Sequence, residues 1–376
     1  MGRKSKVLFT SHTANFSKFN RPFMRMLKEQ GYEVHYASAG EEEVLDCDKH
    51  FTIPFERSPF KFNNLRAIWR LKKIIDTEHY DIIHTHTPMG SVVTRLAAQK
   101  ARKNGTRVFY TAHGFHFFTG APLANWLIYY PIEKIMARFT DMLITINKED
   151  YERAKKKFST SVRYVAGVGI DPNKFDVVMS KADKITLRKS LGLKHDDFVM
   201  LYTAELNNNK NQAMLLRAME RLQQDTPKAH LVLAGIDSLD GKLQTKAKEL
   251  GIAHNVHFLG YRSDIPRILQ IADLAVSASR REGLPVNLLE AMYVGLPIVA
   301  TDCRGNRDLV VDGKNGYLVP RDDDVAIVGA IAKLLKISLQ NDLGCVSRQM
   351  AEMYLIADIM DAMNALYGGG DIDAGS

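Results

Sequence analysis

The stretch LAVSASRREGLPVNLLEAMYVGLPIVATD, residues 274–302, reads as a strand, a turn, a helix and a second strand. LAVSAS is a short apolar run and RREGLP is a turn. PVNLLEAMYVG is a helix with Pro285 at its first position, where a missing N–H costs nothing. Gly295 and Pro297 end that helix, and PIVATD opens the next strand. Strand, crossover helix and strand in this order make the unit of a parallel sheet with helices on both faces.

The same alternation runs outward in both directions. KVLFTSH, EVHYASA, DIIHTHT, RVFYTAH and DMLITIN read as strands in the first half, and FVMLYTA, AHLVLAG, VHFLGY and GYLVP join the quoted pair in the second. Amphipathic segments separate them. In LRAIWRLKKII, Leu65, Ile68, Trp69, Leu71 and Ile75 form a 3.6-residue stripe with Arg and Lys opposite. The pattern pauses at VGIDPNKFDVVMSKADK, so a linker is expected around residues 170–182. The fold class is therefore α/β, with two Rossmann-like, doubly wound parallel-sheet domains facing a cleft. The expected boundaries are 1–176 and 177–349, with a terminal helix or helix pair whose 350–367 part packs back on the first domain. Residues 368–376 are expected to be a flexible tail.

A chain of 376 residues with 45% apolar and 25% charged residues suits two ordinary globular cores. Cys47, Cys303 and Cys345 have no metal or redox spacing, and an odd count argues against a disulfide framework. No run reaches the ~18 apolar residues of a membrane span, and a cytoplasmic location is expected. The net charge of +8 is uneven: residues 1–176 hold 28 Lys and Arg against 18 Asp and Glu, the remainder 23 against 25. A basic first half implies an anionic partner, for which nucleic acid, an anionic membrane and a phosphorylated ligand all qualify.

Ligands of open parallel sheets bind at the carboxyl ends of the strands. In the quoted stretch the N–H groups of Gly283, Leu284, Val286 and Asn287 are left unpaired at the positive end of a helix, a place suited to phosphate or sugar hydroxyls. Glu282 lies on the turn and Glu290 about a turn and a half into the helix. One ligand with a sugar, a diphosphate and a ribose would use all three elements, Glu290 accepting from the ribose hydroxyls and Glu282 addressing the sugar. The plainer alternative is that Glu282 complements the helix dipole and Glu290 pairs with a surface lysine.

Glu-x7-Glu around GLPV, followed by EAMYVGLPIVATDCRGNRDLVVDGKNGYLVP, resembles the retaining GT-B glycosyltransferases of family four, in the subgroup that builds bacterial exopolysaccharide, capsule and O-chain sugars. The resemblance covers nearly the whole chain and includes DIIHTHTPMGSVVTRLAA, TAHGFHF, YYPIEKIMARFTDMLITIN, VGIDPNKF, ELNNNKNQ and VHFLGYRSDI. It implies that Glu282 and Glu290 bind donor sugar and ribose, that Lys210 neutralises the donor diphosphate, and that Arg262 lies in a segment contacting the base. It also implies that His113 hydrogen-bonds the donor hexose across the cleft. A solvated loop lysine, a surface arginine and a buried, satisfied histidine are the respective alternatives.

The chain departs from the family twice. Glu205 stands where an arginine commonly sits five residues before the lysine, and Arg281 is the candidate substitute. The first strand-turn, FTSHTANFSKFNRPF, has no glycine where many relatives have a Gly-rich loop, so His12 or Asn15, with His84, would line the acceptor side. The reaction implied is transfer of a hexose or N-acetylhexosamine from a nucleotide-sugar, a UDP-sugar first, to a polyprenyl-diphosphate-linked saccharide. No carboxylate pair presents itself as acid and nucleophile.

No metal site and no cofactor are expected. DCD at 46–48 and DID at 371–373 mimic the Asp-x-Asp of metal-dependent transferases, but one follows an acidic loop run and the other lies in the tail. His84, His86, His113 and His116 sit at strand ends without a carboxylate or cysteine at metal spacing. PLANWLIYYPIEKIMARF is either a helix packed on the sheet or a membrane-surface segment, and the basic first half favours peripheral contact with an anionic leaflet. The alternatives are a UDP-sugar 2-epimerase of similar fold and a basic nucleic-acid-binding protein. No reader module supports the latter, and no nucleic-acid partner is expected.

Overall fold

In the computed structural model, residues 3–335 and 337–370 are described. They form two compact units: the described residues of Met1–Val168 and Ala357–Ser376, and Gly169–Ile356. The first unit is built on a seven-stranded sheet of order β3-β2-β1-β4-β5-β6-β7, the second on a six-stranded sheet of order β10-β9-β8-β11-β12-β13. In chain order the strands are β1 Lys6–Thr10, β2 Glu33–Ser38, β3 Lys49–Thr52, β4 Ile82–His86, β5 Arg107–Ala112, β6 Met142–Thr145 and β7 Ser161–Tyr164. The second unit adds β8 Phe198–Thr203, β9 Ala229–Ala234, β10 Val256–Gly260, β11 Leu274–Ser277, β12 Ile298–Thr301 and β13 Gly316–Val319. Every pairing is parallel. In each sheet the chain order reverses once, between β1 and β4 and between β8 and β11, and the carboxyl ends beside such a switch point are where a ligand finds room.

Both faces of the first sheet are covered, which is why its inner strands read as continuous apolar runs. Val7, Phe9, Ile82 and Phe109 pack on one face with Phe23, Met24 and Leu27 and with Ile359, Met363 and Leu366 of the terminal helix Ile356–Gly368. Leu8, Ile83 and Val108 face Ala67, Leu71 and Ile75 of the helix Asn63–Glu78 and Val93 and Ala97 of the helix Pro88–Ala97. The core of the second unit gathers Met200, Leu231, Leu233 and Val276 from its strands against Met214, Leu215 and Met219 of the helix Gln212–Asp225.

Several elements depart from the sequence reading. β3 and β7 were not expected: each is a four-residue edge strand, KHFT and SVRY, too short and polar to show an apolar run. The helix Asn63–Glu78 buries Asn64, Ala67, Leu71 and Ile75, whereas Leu65 and Trp69 are 66% and 65% exposed. The buried face is turned from the predicted one because Asn64 is held inward, donating to the Ser58 carbonyl at 2.8 Å and accepting from the Glu56 N–H at 3.0 Å. The units divide after Val168 and after Ile356, where the sequence pattern suggested 176 and 349. Ile170 explains this, because its N–H donates to Tyr354 and its carbonyl accepts from Ile356, tying the outgoing and returning segments together. Residues 371–376, which include DID 371–373 and most of the expected tail, lie outside the described residues.

Candidate active site

The second unit assembles its polar groups at the carboxyl ends of β8, β11 and β12. The loop after β8, NNNKN at 207–211, is an Asx turn in which Asn207 Oδ1 accepts from the N–H groups of Asn209 and Lys210 at 3.0 and 2.9 Å. That loop is clamped to the one after β11. The Arg280 N–H donates to the Asn209 carbonyl at 2.8 Å, the Arg280 guanidinium to the Asn208 carbonyl at 2.7 Å, and Asn209 Nδ2 to the Arg281 carbonyl at 3.0 Å. Arg280 also pairs with Asp322 at 2.7 Å, which in turn accepts from Asn211 at 2.9 Å. The consequence is a short contact between two residues far apart in sequence: Lys210 Nζ lies 2.6 Å from Glu282 Oε1.

The turn Glu282–Gly283 is pressed onto the helix Arg304–Leu309 that follows β12. A Cβ on Gly305 would lie 2.5 Å from the Gly283 carbonyl oxygen, so a side chain there would push the turn away. Buried Arg304 donates to the Glu282 carbonyl at 3.2 Å. The Cys303 thiol, ahead of the same helix, is pushed up to about 11 by burial and by the nearby Glu282 carboxylate. None of these three was read as a site residue from the sequence, where Cys303 was noted only for lacking metal or redox spacing. The signal was present in the CRGN that follows β12, placing a glycine and a cation at another strand's carboxyl end.

Pro285 is the N-cap of the helix Val286–Tyr293, one position before the expected one, and its carbonyl accepts from Leu288 and Leu289. Among the described residues the N–H groups of Gly283, Leu284, Val286 and Asn287 meet no backbone carbonyl, as expected at a helix start. The carboxylate of Glu290, on that helix, makes no ion pair or hydrogen bond among the described residues, so the surface-lysine alternative does not describe it. Burial lifts its pKa to about 7, opposed weakly by the charge of Lys174. The carboxylate is thus held in a desolvated position without a partner of its own.

The remaining donor-side expectations fall out differently. Glu205 is exposed and accepts from the Ser238 hydroxyl at 2.6 Å. Arg281 is exposed, and only its carbonyl is engaged by the loop clamp. Arg262 makes a bidentate pair with Asp264 at 2.8 and 2.7 Å, so its guanidinium is already held within its own turn.

In the first unit the histidines gather at the ends of β4 and β5. His113 Nε2 and His86 Nδ1 lie 3.1 Å apart, and the His113 and Phe16 rings meet at 75° with centroids 4.7 Å apart. Desolvation lowers the His113 pKa to about 4, so the ring is a neutral hydrogen-bonding group near pH 7. His84 is fully buried, its nitrogens engaged by Tyr367 at 2.6 Å and Thr111 at 2.7 Å. It ties the sheet to the terminal helix and presents no free nitrogen to an acceptor, which corrects its expected place on the acceptor side. His12 accepts from Arg57 at 3.0 Å, and exposed Asn15 lies on the 3-10 turn Ala14–Phe19. The loop after β1 is approached closely by the start of the helix Pro88–Ala97. A Cβ on Gly90 would meet the His12 N at 3.0 Å and Thr87 Oγ1 at 2.7 Å.

The other signals are occupied by structural roles. Asp46 pairs with Arg21 at 2.6 Å and Arg25 at 3.0 Å, and Asp48 with Lys28 at 2.8 Å. His116 stacks on Tyr129 at 4.5 Å. Glu33, His35 and Glu78 have metal-like spacing, but Lys6 lies 2.6 Å from Glu78 and 3.7 Å from Glu33, and a cation already stands there. The helix Leu123–Met136 packs Trp126, Tyr129 and Tyr130 inward and leaves Leu123, Leu127 and Ile135 in solvent. Among the described residues no helix is long and apolar enough to cross a membrane.

Residues 6–147 match the family described as Glycosyl transferase 4-like, and residues 183–359 the family described as Glycosyl transferases group 1. EpsD of Bacillus subtilis (strain 168), named as a glycosyltransferase, is 43% identical over 366 residues, 96% of each chain. The Escherichia coli UDP-Gal:alpha-D-GlcNAc-diphosphoundecaprenol alpha-1,3-galactosyltransferase is 29% identical over 299 residues, 77% of this chain and 75% of that one. Anabaena HepE, solved with UDP and glucose, superposes with a TM-score of 0.79 at 20% identity over 97% of this chain and all of its own. The two units have the GT-B fold. The chain belongs to the group 1 glycosyltransferases.

Proposed function

We propose that the chain transfers a hexose or N-acetylhexosamine from a UDP-sugar to a lipid-linked saccharide, with retention at the anomeric carbon, in the synthesis of exopolysaccharide, capsule or O-chain. The observation that carries the donor reading is the Lys210–Glu282 contact beside the open N–H groups of the 283–287 turn, with unpartnered Glu290 on the same helix. A cation and amide donors match a diphosphate, and a lone carboxylate matches vicinal hydroxyls. The E. coli relative's name gives it UDP-Gal as donor and a diphosphoundecaprenol-linked sugar as acceptor, which supports both choices, and HepE was solved with UDP, which supports the donor. The enzyme would then work in the cytoplasm, in peripheral contact with the anionic inner face of the membrane that holds such an acceptor.

In this mechanism the bond between the anomeric carbon and the diphosphate oxygen breaks with its electron pair passing to the diphosphate. The acceptor hydroxyl attacks from the same face and gives its proton to that oxygen. Lys210 and the turn amides stabilise the developing charge without a metal ion, and neutral His113 hydrogen-bonds the hexose. The test is transfer of labelled sugar from UDP-hexoses and UDP-N-acetylhexosamines to a synthetic prenyl-diphosphate saccharide, with and without EDTA. Retained product at an EDTA-insensitive rate supports the proposal. An inverted product refutes retention, a rate abolished by EDTA refutes metal independence, and a folded protein that binds no UDP refutes the donor.

A further inference from the structure

The helix Asn63–Glu78 turns one face to the sheet and leaves an unusual one in water. Phe62, Leu65 and Trp69 are 87%, 66% and 65% exposed, and Phe60 just ahead of the helix is 78% exposed. Spaced by three and four residues, Phe62, Leu65 and Trp69 lie along one line of the helix surface. Arg66, Arg70 and Lys73 form the neighbouring line, all exposed, and none of the three has an ion-pair or hydrogen-bond partner among the described residues. Arg21 and Arg25 of the same unit, by contrast, share Asp46. Between Glu56 and Asp76 the sequence has no carboxylate at all.

An aromatic and aliphatic line beside an unneutralised cationic line is the pattern of a helix lying in a bilayer interface. The rings and Leu65 would enter the headgroup boundary and the cations meet lipid phosphates. A nucleic acid would use the cations but has no use for Leu65. The same layer carries a second exposed apolar stripe, Leu123, Leu127 and Ile135 of the helix Leu123–Met136, next to exposed Lys134 and Arg138. The helix Pro88–Ala97 joins the two, packing on Asn63–Glu78 and holding Glu133 through Arg95 at 2.9 Å. Two stripes on one layer suit an extended surface better than a single peptide. We propose that the exposed face of Asn63–Glu78, with Phe60 and Phe62 leading into it, is the docking surface for an anionic lipid bilayer. This deepens the reading of a membrane-borne acceptor, and names the face that reaches it.

The test is co-sedimentation of the full chain with phosphatidylglycerol-containing vesicles and with pure phosphatidylcholine vesicles at physiological salt. The parent is expected to sediment with the anionic vesicles and far less with the neutral ones. Arg66→Gln, Arg70→Gln and Lys73→Gln are expected to weaken partitioning by about five-fold per cation removed, which is ~1 kcal/mol each. Leu65→Ser with Trp69→Ser is expected to lower it by at least about ten-fold. All five positions are exposed, so unchanged circular dichroism and UDP binding would show intact variants. The proposal is overturned if the variants sediment like the parent or if the parent ignores anionic vesicles. It is equally overturned if the substitutions instead abolish binding to duplex DNA or dissociate a dimer in the ultracentrifuge. Failure of the transferase reading would show separately, as absent UDP binding by the parent.

Discussion

Replacing Glu290 with glutamine is expected to stabilise the ligand-free protein above neutral pH and to weaken its hold on UDP. Burial raises the Glu290 pKa from an ordinary 4.5 to about 7. Below the lower value the carboxyl is protonated in folded and unfolded chains alike and contributes nothing. Between the two values the unfolded chain ionises while the folded one keeps its proton, so stability falls as pH rises. Above about 7 the whole penalty is present, about 3 kcal/mol at 1.36 kcal/mol per tenfold change. Glutamine has the same shape and no charge, so the variant lacks this slope. Near pH 8 it is expected to melt roughly 6–12 °C higher, at ~2–4 °C per kcal/mol for a domain of this size, and near pH 4.5 to match the parent. The ligand reverses the sign. A carboxylate accepting from two ribose hydroxyls contributes ~1.5–3 kcal/mol, so UDP affinity of the variant is expected to drop about 10–100-fold near pH 8. Parent affinity should also climb as pH rises toward about 7. Scanning calorimetry of both proteins across this range, with titration calorimetry against UDP, measures each quantity. Equal melting near pH 8 would refute the desolvation argument. A stabilised variant with unchanged UDP affinity would refute the ribose contact.

Gly305→Ala forces a Cβ to 2.5 Å from the Gly283 carbonyl and is expected to cost ~1–3 kcal/mol in urea unfolding while weakening UDP binding through the displaced Glu282 turn. Lys210→Ala leaves Glu282 without its 2.6 Å partner; titrations should show UDP affinity reduced about 10-fold or more and uridine affinity unchanged if the ammonium serves the phosphates. Arg95 and Glu133 are buried together at 2.9 Å, so Glu133→Leu alone is expected to cost ~3–5 kcal/mol, and the double change with Arg95→Met to recover most of it.

Where burial on both sides of a strand forces a continuous apolar run, the sequence was enough: β1, β2, β4, β5 and β6 and the inner strands β8, β9, β11 and β12 fall on the runs read for them, as do the edge strands β10 and β13, whose VHFLG and GYLV keep apolar residues. β3 and β7 escaped because their KHFT and SVRY, unlike the other two edge strands, are too polar to carry such a run. The stripe of Asn63–Glu78 misled because periodicity locates an apolar line without saying which way it faces, and Leu65 and Trp69 face water. His84 drew attention as polar residues at strand ends do, yet Tyr367 from the far end of the chain occupies it.

The alternation of apolar runs and amphipathic segments, a local property, specified two parallel-sheet units. The interval between Glu282 and Glu290 placed one carboxylate on a turn and the other inside the helix it opens. Both follow from backbone geometry within a few residues. Only the tertiary structure decided that Lys210 meets Glu282, 72 positions away, because β8 and β11 are neighbours across the switch point and Arg280 clamps their loops together. Only it decided that Glu290 is desolvated and unpartnered, since a pKa sums the surroundings contributed by every element around the group.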